Sequence, residues 1–94
     1  MISRKVMVAS RGGLHARTAG MLAQAAAKQP VIVMIRAGDG PAVQARSLLS
    51  LLSLGATCGT EVTLEADGDH AAESLDVLAA LLAEDLDAIE PSDA

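Results

Sequence analysis

Residues 10–20 read SRGGLHARTAG. A strand pattern stops just before this stretch and a helix pattern starts inside it, so its reading sets the order of the elements on either side. The pair Gly12–Gly13 allows an open, left-handed backbone ahead of the helix. His15 then falls at or next to the helix N-cap.

Upstream, RKVMVAS (4–10) alternates, with Val6 and Val8 on one face and Lys5 and Met7 on the other, which predicts a first strand. Downstream, from Ala16 to Lys28, the apolar positions Ala19, Leu22, Ala23 and Ala26 fall at i, i+3, i+4 and i+7. They form one helical stripe, stopped by Gln29–Pro30. VIVMI (31–35) is short and β-branched and predicts a buried strand. AGDGPA (37–42) is a turn, and AVQA (42–45) is long enough only for a short edge strand. RSLLSLLSLG (46–55) predicts a short helix ended by Gly55. In TEVTLEA (60–66), Val62, Leu64 and Ala66 face in while Glu61, Thr63 and Glu65 face out. After the Asp67–Gly68 turn, a last helix runs from about His70 to Leu86 on a stripe of Leu75, Leu78, Leu82 and Leu86. Asp69 is its expected cap and Glu73 suits the dipole of its first turn. From about residue 88 the tail is expected to fray.

The order β-α-β-β-α-β-α predicts an α+β fold, an antiparallel four-stranded sheet with three helices packed on one side. Pattern alone does not give the strand order. At 94 residues the chain is expected to be a single domain, 1–94. Half of it, 51%, is hydrophobic, which is a globular composition, yet it has no Phe, Tyr or Trp. The core must be aliphatic, and single-stranded nucleic acid finds no stacking platform. No apolar run approaches the roughly 20 residues of a membrane span, and the N-terminus lacks a secretory pattern. The lone Cys58 excludes an internal disulfide, so a reducing cytoplasm is the expected home. His15, His70 and Cys58 show no metal-ligand spacing, and no metal or cofactor is expected. All seven Lys and Arg lie in residues 1–46 with Asp39 as their only acid, and the other eleven acids follow. One reading is that the end carrying His15 and Arg17 meets anions or acidic partners. The plainer one is a solubility accident.

At a helix start the first amides, those of Ala16, Arg17 and Thr18, have no intrahelical acceptor. Together with roughly half a positive charge of helix dipole, they disfavour an imidazolium and favour a bound anion such as phosphate. Arg17 adds a planar cation suited to phosphate oxygens. Imidazole, amides and guanidinium could thus accept a phosphoryl group and hold its charge. From the residues alone, an ordinary loop histidine remains the alternative. His70 reads as a solvated first-turn residue, and Cys58 lacks a paired base.

GLHARTA (13–19) resembles the active-site motif G-[LI]-H-x-R-P-A of HPr, the histidine-containing phosphocarrier of the phosphoenolpyruvate–sugar phosphotransferase system. RSLLSLLSLG resembles the second HPr signature, a Lys/Arg-Ser followed by a short apolar helix ending in S-L-G or T-L-G. The spacing and element order also match, over residues 2 to about 87. The resemblance implies an open-faced β-sandwich and a monomeric phosphoryl carrier that is not itself an enzyme. It implies that His15 takes a phosphoryl group on Nδ1 from Enzyme I and passes it to enzyme IIA domains, with Arg17 as anion partner. It also implies a docking face of Arg17, Gly20 and Met21 with Leu48, Leu49 and Leu52, leaving Leu51 and Leu54 to the core. Five leucines in the seven positions of LLSLLSL exceed what a short helix on one side of a sheet can bury. Ser47 reads as a helix N-cap, and it also falls where some HPr proteins carry a regulatory phosphoserine placed by a serine kinase. The alternative from a different class is an HPr-like regulatory module that docks on a transcriptional regulator or enzyme with little phosphoryl flux.

Two positions depart from the HPr pattern. Thr18 stands where the motif has proline, which restores an N–H and a hydroxyl and is expected to loosen the loop; Thr18→Pro is expected to be tolerated. Gly12 stands where the family often has a small polar side chain that steadies the ring.

Overall fold

The computed structural model describes residues 1–85. Its elements are β1 (Ile2–Met7), α1 (Ala16–Ala27), β2 (Met34–Ala37), β3 (Val43–Gln44), α2 (Leu48–Ser53), β4 (Glu61–Ala66) and α3 (Ala71–Ala83). The four strands form one antiparallel sheet in the order β1-β4-β2-β3. β4 lies between β1 and β2, and its alternation gives it one buried face: Val62, Leu64 and Ala66 are buried while Glu61 is exposed. Its inward residues set the register, with Val6 opposite Val62 on one side and Ile35 opposite Leu64 on the other. Leu22 of α1, Leu51 of α2, and Leu75, Leu78 and Leu82 of α3 cover that face and are almost fully buried. Each such leucine contributes about 1.5–3 kcal/mol in place of the missing aromatics. The opposite face carries Ser3, Lys5, Arg36, Thr63 and Glu65 around a shallow polar depression, with Arg36 paired to Glu65 at 2.7 Å. This is an open-faced β-sandwich.

The helices lie close to where the sequence put them. α1 starts at Ala16, buries Ala19, Leu22, Ala23 and Ala26, and is closed by Lys28 as C-cap. α2 is capped by Ser47, whose hydroxyl accepts the Ser50 N–H at 3.3 Å, and is followed by Gly55 at φ +66. β3 is a two-residue edge strand, as its length allowed.

Several boundaries differ. β1 begins and ends earlier than RKVMVAS, although Val8 still points into the core and donates its N–H to Thr60 O at 2.9 Å. β2 starts three residues after Val31. Val33 instead lends its carbonyl to Ala45 N–H at 2.9 Å, beyond β3, and Ile32 is half exposed, so the VIVMI run is not buried throughout. Ladder pairing runs on through Arg36 and Ala37, opposite Thr63 and Val62. Asp69 does not cap α3. His70 does so in a left-handed conformation, φ 71, with no side-chain cap bond, and its Nδ1 lies 3.1 Å from Glu73 Oε1. α3 ends at Ala83, and both Leu86 and the tail expected to fray lie outside the described residues. Ser74 is buried on α3, and its hydroxyl has no partner among the described residues.

The two charge halves of the sequence do not become two ends of the molecule. Arg4 pairs with Asp76, Arg11 with Asp85 and Arg36 with Glu65, so basic first half and acidic second half meet across the surface of the fold.

Candidate functional site

The loop between β1 and α1 is held from two sides. On one side Ala9 N–H donates to Leu82 O at 3.0 Å, and Arg11 reaches Asp85 through its backbone N–H (3.2 Å) and its Nε (2.9 Å). On the other, Leu14 N–H donates to Ala56 O at 3.0 Å and its side chain is buried. Gly13 permits that approach. It sits at φ +70, and a Cβ there would stand 2.5 Å from Ala56 O and 2.8 Å from Thr57 Cα. No larger residue fits without moving the 56–57 backbone.

His15 follows as the N-cap of α1, with extended backbone angles (φ −103, ψ −175). A capping box closes around it. The ring accepts from the first-turn backbone, with Arg17 N–H 3.3 Å from Nδ1, and Thr18 Oγ1 accepts the His15 N–H at 3.1 Å. A nitrogen that accepts a hydrogen bond carries a lone pair, so in this arrangement the neutral ring holds its proton on Nε2. His15 is half buried, while Ala16 and Arg17 are exposed. One side of the helix start therefore gathers Nδ1, the first-turn amides that it caps and the exposed Arg17.

Thr18 behaves differently from the expectation of a loosened loop. Its side chain is fully buried, and its hydroxyl donates to Gly13 O at 2.7 Å while accepting from His15. The hydroxyl ties the loop down where a proline would have stiffened it. Thr18→Pro would leave both groups without that partner, so tolerance of proline is no longer the expectation. Gly12 is exposed and brings no side chain to the ring.

α1 packs on α2, which brings Gly20 and Met21, both half buried, to the same side of the fold as the leucines of α2. Leu49 is 79% exposed, Leu48 41% and Leu52 37%, whereas Leu51 is buried and Leu54 packs partly against the core. Cys58 is exposed, with its thiol directed to Ala9 O at 3.8 Å. Neither the Thr18 hydroxyl contacts nor the Asp85 clasp has a signature in the linear sequence, because both depend on how the loop folds back. Among the described residues no group of His, Cys, Asp and Glu is placed to hold a metal ion, and no helix is long and apolar enough to cross a membrane.

Fold and site define a class: a small open-faced sandwich that presents one imidazole at a helix start, beside a short helix with an apolar outer face. The family described as the PTS HPr component phosphorylation site matches residues 2–84, and the chain belongs to this HPr phosphocarrier family. It is 42% identical over 87 residues to the phosphocarrier protein HPr of Streptomyces coelicolor, covering 93% of this chain and 94% of that one. It is 40% identical over 86 residues to the HPr-like protein Crh of Bacillus subtilis, covering 92% and 100%. A crystal structure of the phosphocarrier protein HPr from Bacillus anthracis superposes with a TM-score of 0.81 at 32% identity, over 86% of this chain and 95% of that one.

Proposed function

We propose that His15 accepts a phosphoryl group from phosphorylated Enzyme I and passes it to enzyme IIA domains in sugar uptake. The observation that carries this reading is the position of His15 Nδ1, on the N-cap of α1 and 3.3 Å from the Arg17 amide. In the forward step the Nδ1 lone pair forms a bond to phosphorus while the bond from phosphorus to the donor breaks, and the electron pair leaves with the donor. The ring becomes a phosphorylated imidazolium. The lone pair that had accepted the amide is consumed, and the amides of Ala16, Arg17 and Thr18 turn to the phosphoryl oxygens. The contact they give up is long for an N–H bond, so little is lost in the exchange. Arg17 offsets the added negative charge. In the second step an acceptor on the IIA domain attacks phosphorus, and Nδ1 recovers its lone pair and its cap. The protein is a carrier, charged and discharged in turn, with no cofactor or metal of its own, working as a monomer in the cytoplasm.

Leu48, Leu49 and Leu52, with Gly20, Met21 and Arg17, form the docking face. An apolar patch of this kind marks an interaction site, and a small one suits partners that must be released. Ser47 adjoins that patch. A phosphate on it would sit at the N-terminus of α2, where its charge is welcome, and would oppose an acidic partner drawn to Arg17. A serine kinase and a transcriptional regulator are the corresponding partners.

The identity to the HPr-like protein Crh favours a second reading, a regulatory module with little or no phosphoryl flux. One experiment separates the two. Enzyme I and labelled phosphoenolpyruvate are added, then a IIA domain. A carrier takes up label within seconds and surrenders it to the IIA domain, and His15→Ala takes up none. Label that survives His15→Ala refutes the carrier site. Little or no uptake, or uptake with no onward transfer, favours the regulatory module.

A further inference from the structure

We infer that the side-chain hydroxyl of Thr18 is a positioning group for His15, acting through the backbone of the loop that carries it. The residue is fully buried, so the hydroxyl does not contact a partner or a phosphoryl group from solvent. It lies between two backbone groups that straddle Leu14. It donates to Gly13 O at 2.7 Å and accepts from His15 N–H at 3.1 Å. A hydroxyl has one proton. The His15 carbonyl, at 3.3 Å, is the poorer acceptor, so the proton goes to Gly13 O.

Those two groups also meet each other. His15 N–H donates to Gly13 O at 3.2 Å, a γ-turn contact within the loop itself, whereas the Thr18 hydroxyl ties the loop to α1. The neighbouring amides are already engaged: Gly13 N–H with Ser10 O at 2.9 Å and Leu14 N–H with Ala56 O at 3.0 Å. Thr18 adds a brace from α1 to the peptide leading into His15. That peptide sets the cap geometry, and the cap geometry sets where Nδ1 points. Removing the hydroxyl leaves Gly13 O and His15 N–H with their 3.2 Å contact to each other and without the brace that ties both to the first turn of α1. The docking leucines of α2 are not touched by this change.

Thr18→Val keeps the shape and removes the hydroxyl, and Thr18→Ser keeps the hydroxyl and removes the methyl. Two readouts are taken on both. The first is hydrogen exchange of the His15 amide together with the nitrogen shifts of its ring, which does not depend on phosphoryl transfer. The second is the kinetics of Enzyme I with this chain as acceptor, which rests on the carrier reading. In Thr18→Val, exchange of the His15 amide should rise roughly tenfold, the loss of about one hydrogen bond, and the Nδ1 acceptor signature should weaken. Turnover should fall roughly tenfold or more with KM within about twofold, as expected when the reacting atom is misplaced but docking is intact. Thr18→Ser should match wild type in both within about threefold, below the effect of a whole hydrogen bond. Val equal to wild type in exchange and ring shifts overturns the inference. So does Ser behaving like Val, which would make the methyl the important group, or a loss carried wholly by KM. If wild type takes up no phosphoryl group, the carrier reading fails and the exchange readout still decides the role of Thr18.

Discussion

Gly13→Ala should be the most damaging single-methyl change in the loop. The residue sits at φ +70, where an alanine costs about 1 kcal/mol relative to glycine. The new Cβ would lie 2.5 Å from Ala56 O and 2.8 Å from Thr57 Cα, distances that no real Cβ holds. The obstacle is backbone, so no side chain can swing away. The 56–57 turn must move, and its motion breaks the Leu14 N–H to Ala56 O bond, worth about 1 kcal/mol, and lifts the buried Leu14. The combined cost is about 3 kcal/mol, a large part of the ~5–15 kcal/mol that holds a domain together. At ~4–8 °C per kcal/mol for a chain of this size, Tm should fall by about 15 °C. Urea unfolding is the assay, since a lower midpoint at unchanged slope reports stability alone. Gly20→Ala is the control. Gly20 lies inside α1 with nothing within 4 Å of a Cβ, so alanine should stabilise by about 0.5–1 kcal/mol. A Gly13→Ala protein within about 0.5 kcal/mol of wild type, inside the range of a neutral surface change, would refute the packing of this loop on the 56–57 turn.

The hydroxyl of Ser74 has no partner among the described residues, so Ser74→Ala should raise stability by about 1 kcal/mol, read by thermal melting, and a loss of stability would show that the hydroxyl has a partner. Leu49→Ala should leave Tm nearly unchanged while raising KM for Enzyme I about tenfold, whereas Leu51→Ala should cost about 2–5 kcal/mol. Ser47→Asp keeps a good cap and adds a charge beside the leucine patch, so melting should be unchanged or slightly higher and Enzyme I should charge His15 more slowly. An unchanged rate would leave Ser47 as a cap alone.

What was legible in the sequence was whatever periodicity controls. The α1 stripe and the alternation of β4 each bury one face, and that requirement is written into residue spacing. β2 shows the limit. VIVMI drew the strand onto itself because it is apolar, but half of a strand in a sheet with one open face need not be. Arg36, on the open face and paired to Glu65, hid the true extent. The cap of α3 was missed by one residue because nothing in the sequence announces that His70 takes a left-handed conformation. At the candidate site, the resemblance of GLHARTA to a known motif singled out His15 and Arg17, and the place of His15 at the start of α1 was legible from the spacing. The role of the Thr18 side chain was not. Its partners, Gly13 O and His15 N–H, are brought to it by a loop whose path depends on the turn at 56–57, more than forty residues away in the chain.

The most direct test of the carrier account is nitrogen–phosphorus coupling in the chain labelled with nitrogen-15 histidine and charged by Enzyme I and phosphoenolpyruvate. The account predicts a phosphoryl group bonded to Nδ1 of His15, lost in acid and stable in base, with His70 unmodified. Phosphate on Nε2, phosphate on His70, or no charged species under conditions that charge an authentic phosphocarrier would contradict it.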